Sequence, residues 1–260
     1  MLTEQANSKL EAVDGIWVES GTRERFQAFE DQYILIRDKE HRIFSIDEIR
    51  KLPEVNREHP HYGEWKIRQK SIARFRHFLK GKKTEHALDI GSGTGFFAHM
   101  LSQYCQHVVG VEVNFPELKQ AAEAFGSSEK LKWFCVDVLQ RKVFAEASFD
   151  LITFCCSFQY FSDVKEIVDA CFYYLKPGGS VHIIDTPFYN AQELAQAKKA
   201  SLHYYQNMGF NDLAQHYHHH SWDSLAPYHP IVHYKKKEGG FRSFFEGPDS
   251  PFPWIELIKP

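Results

Sequence analysis

From residue 87 to about 189 the chain alternates between two hydrophobic patterns. Short continuous apolar runs lie at 86–90, 108–113, 131–138, 149–156 and 180–185, each with the length and composition of a buried strand. Between them apolar residues recur at helical spacing over 96–104, over 116–125, and along a stripe of Val164, Ile167, Val168, Cys171 and Leu175. Pro116 suits the first turn of its helix. Asp163 and Glu166 stand at capping-box spacing, with Asp in place of the usual Ser or Thr, and Lys176-Pro177-Gly178-Gly179 ends the stripe. Strands that are apolar throughout, joined by helices, predict a parallel sheet covered on both faces. The chain is expected to build an open α/β domain.

The flanks follow other patterns. Segments 15–20 (GIWVES) and 32–37 (QYILIR) read as strands, followed by a polar run that ends at Leu52-Pro53. Over 65–79, Trp65, Ile72, Phe75 and Leu79 fall at helical spacing, while Lys66, Arg68, Lys70, Arg74, Arg76, Lys80, Lys82 and Lys83 make the other faces basic, with no acid among them. A solvated face is the plain reading of that run, and an anion-contacting face is the alternative. After Tyr189, Asn190 and Glu193 suit a helix start, Gly209 suits its C-terminal cap, and a short second helix is expected from Asn211. The tail is rich in proline, glycine and aromatics, with strand candidates at 231–234 and 254–258. The organisation expected is an extension over 1–60, a core over 61–188, and over 189–260 a helical substrate cover with C-terminal strands that complete the sheet.

Composition narrows the class. With 43% apolar and 25% charged residues in 260, the chain can bury a sizeable core and is not generally disordered. A formal charge of −3, from 31 Lys+Arg against 34 Asp+Glu, argues against nucleic acid as a partner. No apolar run approaches the ~20 residues of a membrane span, and the first residues lack a basic segment followed by an apolar one, so neither a span nor secretion is expected. The five cysteines, Cys105, Cys135, Cys155, Cys156 and Cys171, are odd in number and lack C-x-x-C spacing. They read as reduced thiols of a cytoplasmic protein rather than a disulfide framework or a zinc site.

The first strand of the core runs into Leu88-Asp89-Ile90-Gly91-Ser92-Gly93-Thr94-Gly95. Glycines at a strand-to-helix corner permit a tight turn and close backbone approach to a ligand. A dinucleotide fingerprint would place glycine where Phe96 stands, and a phosphate-binding loop would need a following Gly-Lys-Ser/Thr, which is absent. Asp89 instead puts a carboxylate near the ligand, where it would repel a pyrophosphate but suit an ammonium group. Glu112 closes the second strand, at the position where an acid accepts hydrogen bonds from ribose hydroxyls. Asp137 closes the third, placed to accept from an adenine amino group. A ligand with an ammonium, a ribose and an adenine but no phosphate has the parts of S-adenosylmethionine.

These residues resemble the class I, Rossmann-like S-adenosylmethionine-dependent methyltransferases. The family's first motif is similar to 88–95, its second-strand acid to Glu112, its third-strand x-D-x to Val136-Asp137-Val138, its fourth-strand segment to Phe149-Asp150-Leu151-Ile152, and its L-K-P-G-G to 175–179. The resemblance covers roughly 62–188. It implies a Rossmann-like open sheet, mostly parallel with an antiparallel C-terminal strand and helices on both faces. It also implies S-adenosyl-L-methionine as cofactor, held by Asp89, Gly91, Ser92, Gly93, Gly95, Glu112, Asp137, Val138, Cys155 and Trp65. Trp65 lies where the family's N-terminal helix often folds over the cofactor, and Arg68 is a further candidate there, for the methionine carboxylate.

Nucleic-acid and some protein amino-group methylases of the family carry Asn/Asp-Pro-Pro-Tyr after the fourth strand. Here the segment is Cys155-Cys156-Ser157-Phe158-Gln159-Tyr160, which is more similar to small-molecule methylases, including the quinone-biosynthesis type. In-line methyl transfer to a small or medium organic acceptor is the activity this implies. Two rivals are a non-catalytic protein that binds the same cofactor, and an RNA or protein methyltransferase docking through the basic helix 66–83.

An acceptor hydroxyl or amine must lose a proton, for which histidine is the usual candidate. Fifteen histidines are present, five of them within 203–220. The region after the fifth strand offers Asp185, Tyr189, His203, Tyr204, Tyr205, His216, His218, His219 and His220. His216, His219 and His220 stand at i, i+3 and i+4 of a supposed helix, a metal-ligand spacing that no local Cys or Glu completes, so no metal is expected. Segment 186–225 is expected to cover the methyl end of the cofactor, with Gln159 and Tyr160 below it. His219, His220 and Tyr204 are the catalytic candidates.

Overall fold

The computed structural model describes residues 2–3, 9–140, 143–236 and 249–260. A hairpin of β1 (Leu10–Val13) and β2 (Ile16–Glu19) leads into α1 (Thr22–Lys39), α2 (Ile46–Lys51) and α3 (Tyr62–Leu79). Then come β3 (Thr84–Ile90), α4 (Phe96–Leu101), β4 (Cys105–Val111), α5 (Phe115–Phe125), β5 (Leu131–Cys135), β6 (Phe149–Cys155), α6 (Val164–Tyr174) and β7 (Leu175–Ile184). The remainder holds β8 (Phe188–Tyr189), α7 (Ala191–Met208), β9 (His220–Ser221), β10 (Ile231–Tyr234) and β11 (Trp254–Ile258), with several 3-10 turns between them.

The main sheet has the order β1-β2-β5-β4-β3-β6-β7-β11-β10. Neighbours from β2 to β7 run parallel, and β1, β11 and β10 each add antiparallel at the two edges. The chain winds outward from β3 through β4 to β5, then returns to β6 on the other side of β3 and continues to β7. That reversal leaves a crevice at the carboxyl ends of β3 and β6.

Period-two alternation along the strands divides the core between the two faces of the sheet. Leu88, Ile90, Val109 and Val111 pack with Val164, Ile167, Val168 and Cys171 of α6, and Ala87, Val108, Leu131 and Trp133 pack with α3, α4 and α5. Trp133 is fully buried, and a Cβ on Gly95 would sit 2.6 Å from its ring. Gly95 also holds a left-handed φ of 82°, so both space and backbone exclude a side chain there.

One expected strand is a helix. Residues 32–37 belong to α1, whose Arg25, Phe29, Tyr33 and Arg37 succeed one another at i, i+4 on one face. A short apolar run does not distinguish strand from helix by periodicity alone. Helical signals flank it: Gly21 turns the chain with φ 81°, Glu24 lies in the first turn, and Arg37 and Lys39 in the last, complementing the helix dipole. The buried Glu30 fixes α1 to the body of the protein by accepting the Phe115 N–H at 2.8 Å, where a carboxylate also meets the positive end of α5. The strand in 15–20 and both expected C-terminal strands are present.

Candidate functional site

The crevice opens into a cavity of about 890 Å³. Its floor is the loop 91–95, where Gly91, Gly93 and Gly95 all hold positive φ. A Cβ on Gly91 would come within 2.4 Å of the Ser157 Cβ, so glycine lets the turn after β3 pass under the turn after β6. Ser92, Gly93, Val138, Cys155 and Trp65 line the cavity, as do Glu112 and Asp137. Gly95 lies behind the floor against Trp133.

Glu112 is held tightly. Its Oε1 accepts the Val113 and Asn114 amides at 2.8 and 3.0 Å, and its Oε2 accepts Gly93 N–H at 3.0 Å. Burial nevertheless raises its pKa, against the effect of those three amides. Asp137 accepts Leu139 N–H at 3.1 Å and forms a 2.9 Å ion pair with Arg25 of α1. Trp65, 3% exposed, meets Phe44 and Phe96 edge-on, and its indole N–H has no partner. Arg68 lies 5.1 Å over the Trp65 ring and pairs with Glu64 at 2.6 Å.

Asp89 departs from the expected set. It is 1% exposed and lies beneath the loop, outside the cavity wall, because residue 89 shares the strand face of Ala87 that packs inward. Thr153 donates to its Oδ1 at 2.7 Å, while Oδ2 has no partner. Burial pushes its carboxyl up to about 7, against the Thr153 bond.

The histidine expectation also fails. His216 ends a 3-10 turn, Tyr217 is extended and His220 begins β9, so these residues share no helical face. His220 is 5% exposed among Phe158 and Phe188, and burial drops its pKa to about 4. The His219 Nε2 meets the Ser201 hydroxyl at 2.9 Å, and its ring lies between Tyr189 and Tyr217. Neither lines the cavity, although His219 touches Ser201 and Tyr217, which do. Tyr204 does line it, with its hydroxyl bonded to Glu40.

The cover over 186–225 is only half of the roof. From α7 come Ala200, Ser201, Tyr204 and Tyr205, followed by His216 and Tyr217, and the opposite half is α1 with Arg25, Phe29, Tyr33 and Arg37. Aromatic contacts join the halves: Phe29 meets His216 at 5.1 Å, Tyr33 meets Tyr160 at 6.1 Å, and Tyr160 meets Tyr217 at 6.1 Å. The α1 residues were missed in the sequence. The signal that could have found them is their unbroken i, i+4 spacing.

A smaller cavity of about 380 Å³ adjoins the first and shares Glu64, Arg68, Cys156, Gln159 and Tyr217 with it. Asp185, just after β7, lines it in a left-handed conformation with φ 55°. Its Oδ1 accepts the Ser71 and Ser250 hydroxyls at 2.8 and 2.6 Å, and its buried Oδ2 has no partner. Burial raises its pKa, opposed by the two serines and by Arg68. Cys155 is raised well above an ordinary thiol, first by a hydrogen bond with Cys156 and then by burial, so it is no thiolate at neutral pH.

The donor set fits a cofactor without phosphates. Carboxylates of Glu112, Glu117 and Asp137 line the cavity, while Arg25, Arg42 and Arg68 are each paired with an acid. The basic run along α3 and just beyond it presents no uniform face either: Arg68 turns into the cavity, Arg74 pairs with Asp249, and Lys82, after the helix, lies over Phe78. Among the described residues no helix is long and apolar enough to cross a membrane.

Residues 88–183 match a family described as methyltransferase domain. A ubiquinone biosynthesis O-methyltransferase of Idiomarina loihiensis is 33% identical over 104 residues, 40% of this chain and 42% of that protein. An uncharacterized methyltransferase of Bacillus subtilis, YcgJ, is 31% identical over 106 residues, again 40% of this chain and 42% of the relative. The chain thus spans under half the length of these curated relatives. The crystal structure of YcgJ superposes with a TM-score of 0.57 at 17% identity, covering 74% of this chain and 98% of that one. A methyltransferase structure from Bacillus halodurans gives 0.53 at 14% identity, over 73% and 98%. These two likenesses concern the fold.

Proposed function

We propose, for a chain that belongs through residues 88–183 to the class I S-adenosylmethionine-dependent methyltransferases, methyl transfer to the hydroxyl of a small or medium aromatic acceptor. The observation that carries this reading is the one enclosure of about 890 Å³ that runs from the glycine loop and Glu112 to an aromatic chamber walled by Tyr33, Tyr160, Tyr204, Tyr205 and Tyr217. Donor and acceptor would therefore meet within one cavity, of a size usual for ligand sites. When bound, the cofactor supplies an electrophilic methyl group on a sulfonium.

The residues divide the work. Glu112 accepts from the ribose, Asp137 and Val138 border the adenine, Gly91, Ser92 and Gly93 let the backbone approach the amino-acid end, and Gly95 makes room for Trp133 behind the loop. Trp65 and Cys155 exclude water there. Tyrosine walls suit a planar acceptor that is apolar in its ring and polar at its edge. The name of the Idiomarina relative points to oxygen as the atom methylated. Asp185 is the group proposed to receive the acceptor's proton: like His219 and His220 it lies outside the 890 Å³ cavity, but it brings an unpartnered buried oxygen to the wall of the adjoining cavity, which shares Arg68, Cys156 and Gln159 with the first.

The test is transfer of labelled methyl from S-adenosylmethionine to a panel of catechols, phenols, aromatic amines and benzoates. Catechols and phenols should accept. Asp185→Asn should then lose about 100-fold or more in kcat with cofactor affinity unchanged, and His219→Ala and His220→Ala about threefold or less. Cofactor binding without label transfer to any acceptor would make the protein a binder rather than an enzyme.

A further inference from the structure

Glu117 lines the cavity but has no role assigned so far, and its position is unusual for its place in the chain. It is the N3 residue of α5, three after the cap Asn114, which is capping-box spacing. In α2 and α7 the same spacing, Ser45 with Glu48 and Asn190 with Glu193, gives complete capping boxes: the glutamate folds back onto the cap's own amide. In α5 the Asn114 side chain accepts Glu117 N–H as expected, but the Asn114 amide is already taken by Glu112. The Glu117 carboxylate is thereby released to the cavity, where it lies 3.4 Å from the position of a Cβ on Gly93.

Glu112 in turn is nearly saturated. A carboxylate offers about four lone-pair sites, and three backbone amides occupy Glu112. A ribose diol brings two donors. One can be met by Glu112, and the other needs a second acceptor beside it. We propose that Glu117 is that acceptor, so that Glu112 and Glu117 hold the two ribose hydroxyls of the cofactor between them. This rests on the cofactor reading above.

The pair also makes binding respond to pH. Burial pushes the Glu117 carboxyl up to about 7, Arg37 opposes this, and the neighbouring Glu112 adds to it. Around the pair stand Arg37 and Tyr33 from α1 and Tyr160 from the turn after β6. Arg37 remains charged, and burial lifts both tyrosines above their usual range, so none of the three titrates near neutrality. His216 lies across the cavity on Phe29. Hydroxyl donors favour ionised carboxylates, so affinity rises as pH increases through neutrality.

Calorimetry with S-adenosylhomocysteine and its 2′-deoxy and 3′-deoxy analogues tests this without any acceptor. Glu117→Ala should weaken S-adenosylhomocysteine about tenfold. One deoxy analogue should bind wild type and Glu117→Ala equally, because it lacks the hydroxyl that Glu117 holds. Glu117→Gln keeps the size of the side chain and should flatten the rise in affinity between about pH 6 and 8, which a dependence on His216 would leave intact. Equal loss for both analogues, affinity of Glu117→Ala within about twofold of wild type, or an unchanged pH profile in Glu117→Gln would each overturn the assignment while leaving the cofactor reading standing. Absence of S-adenosylhomocysteine binding by the wild type would remove that reading as well.

Discussion

Asp89 shows how one side chain can carry cost and position together. It is a carboxyl in an almost dry site, with Thr153 on one oxygen and nothing on the other. In an unfolded chain such a group titrates near ~3.9, whereas here it is pushed up to about 7 by burial. Between those values the folded state keeps a proton that the unfolded state has released. Stability therefore falls as pH rises from about 4 to 7 and levels off above. Asp89→Asn preserves an acceptor for Thr153 and cannot ionise. In urea melts of the ligand-free protein its stability relative to wild type should improve by roughly 1–3 kcal/mol from pH 5 to pH 8. Parallel curves would mean that Asp89 is ionised in the folded protein. The glycine pattern located Asp89 beside the ligand loop, but its burial depended on Thr153 and the packing of two strands. Likewise the spacing of His216, His219 and His220 was visible, while the break of the backbone at Tyr217 was not.

At the scale of elements, α1 is the main lesson. Its inward face is made of Arg25, Phe29, Tyr33 and Arg37, while Leu35 is 57% exposed. A helix that turns arginines and polar-tipped aromatics toward a cavity reverses the usual contrast, so hydrophobicity tracks a strand-like run instead of the inward face. By comparison α7 was legible from Asn190, Glu193 and Gly209, because capping is chemistry between near neighbours. The anchor of α1 is the Glu30 carboxylate on Phe115 N–H. Glu30→Ala should destabilise the protein by about 1–2 kcal/mol and speed hydrogen exchange in α1 far more than in β3. Unchanged exchange in α1 would show that its aromatic contacts alone hold the roof.

At the scale of the whole molecule, the reversal of strand order at β3 sets the crevice, and the N- and C-terminal parts close it from opposite sides. A ligand that bridges floor and roof must stabilise the folded chain. S-adenosylhomocysteine at about 100 times its Kd should add about 2.7 kcal/mol, read as a rise in melting temperature, and NAD at equal concentration should add nothing measurable. Matching stabilisation by NAD would overturn the cofactor assignment. The strand–helix alternation, the glycine loop and the acids Glu112 and Asp137 at successive strand ends were fixed by the sequence alone, since each depends on periodicity or on residues close together in the chain. The roof of α1, the ion pair of Arg25 with Asp137 and the meeting of Ser71, Asp185 and Ser250 were decided only by tertiary structure. Those contacts join residues more than a hundred, or many tens, of positions apart, and no local pattern records which distant side chain a buried polar atom will meet.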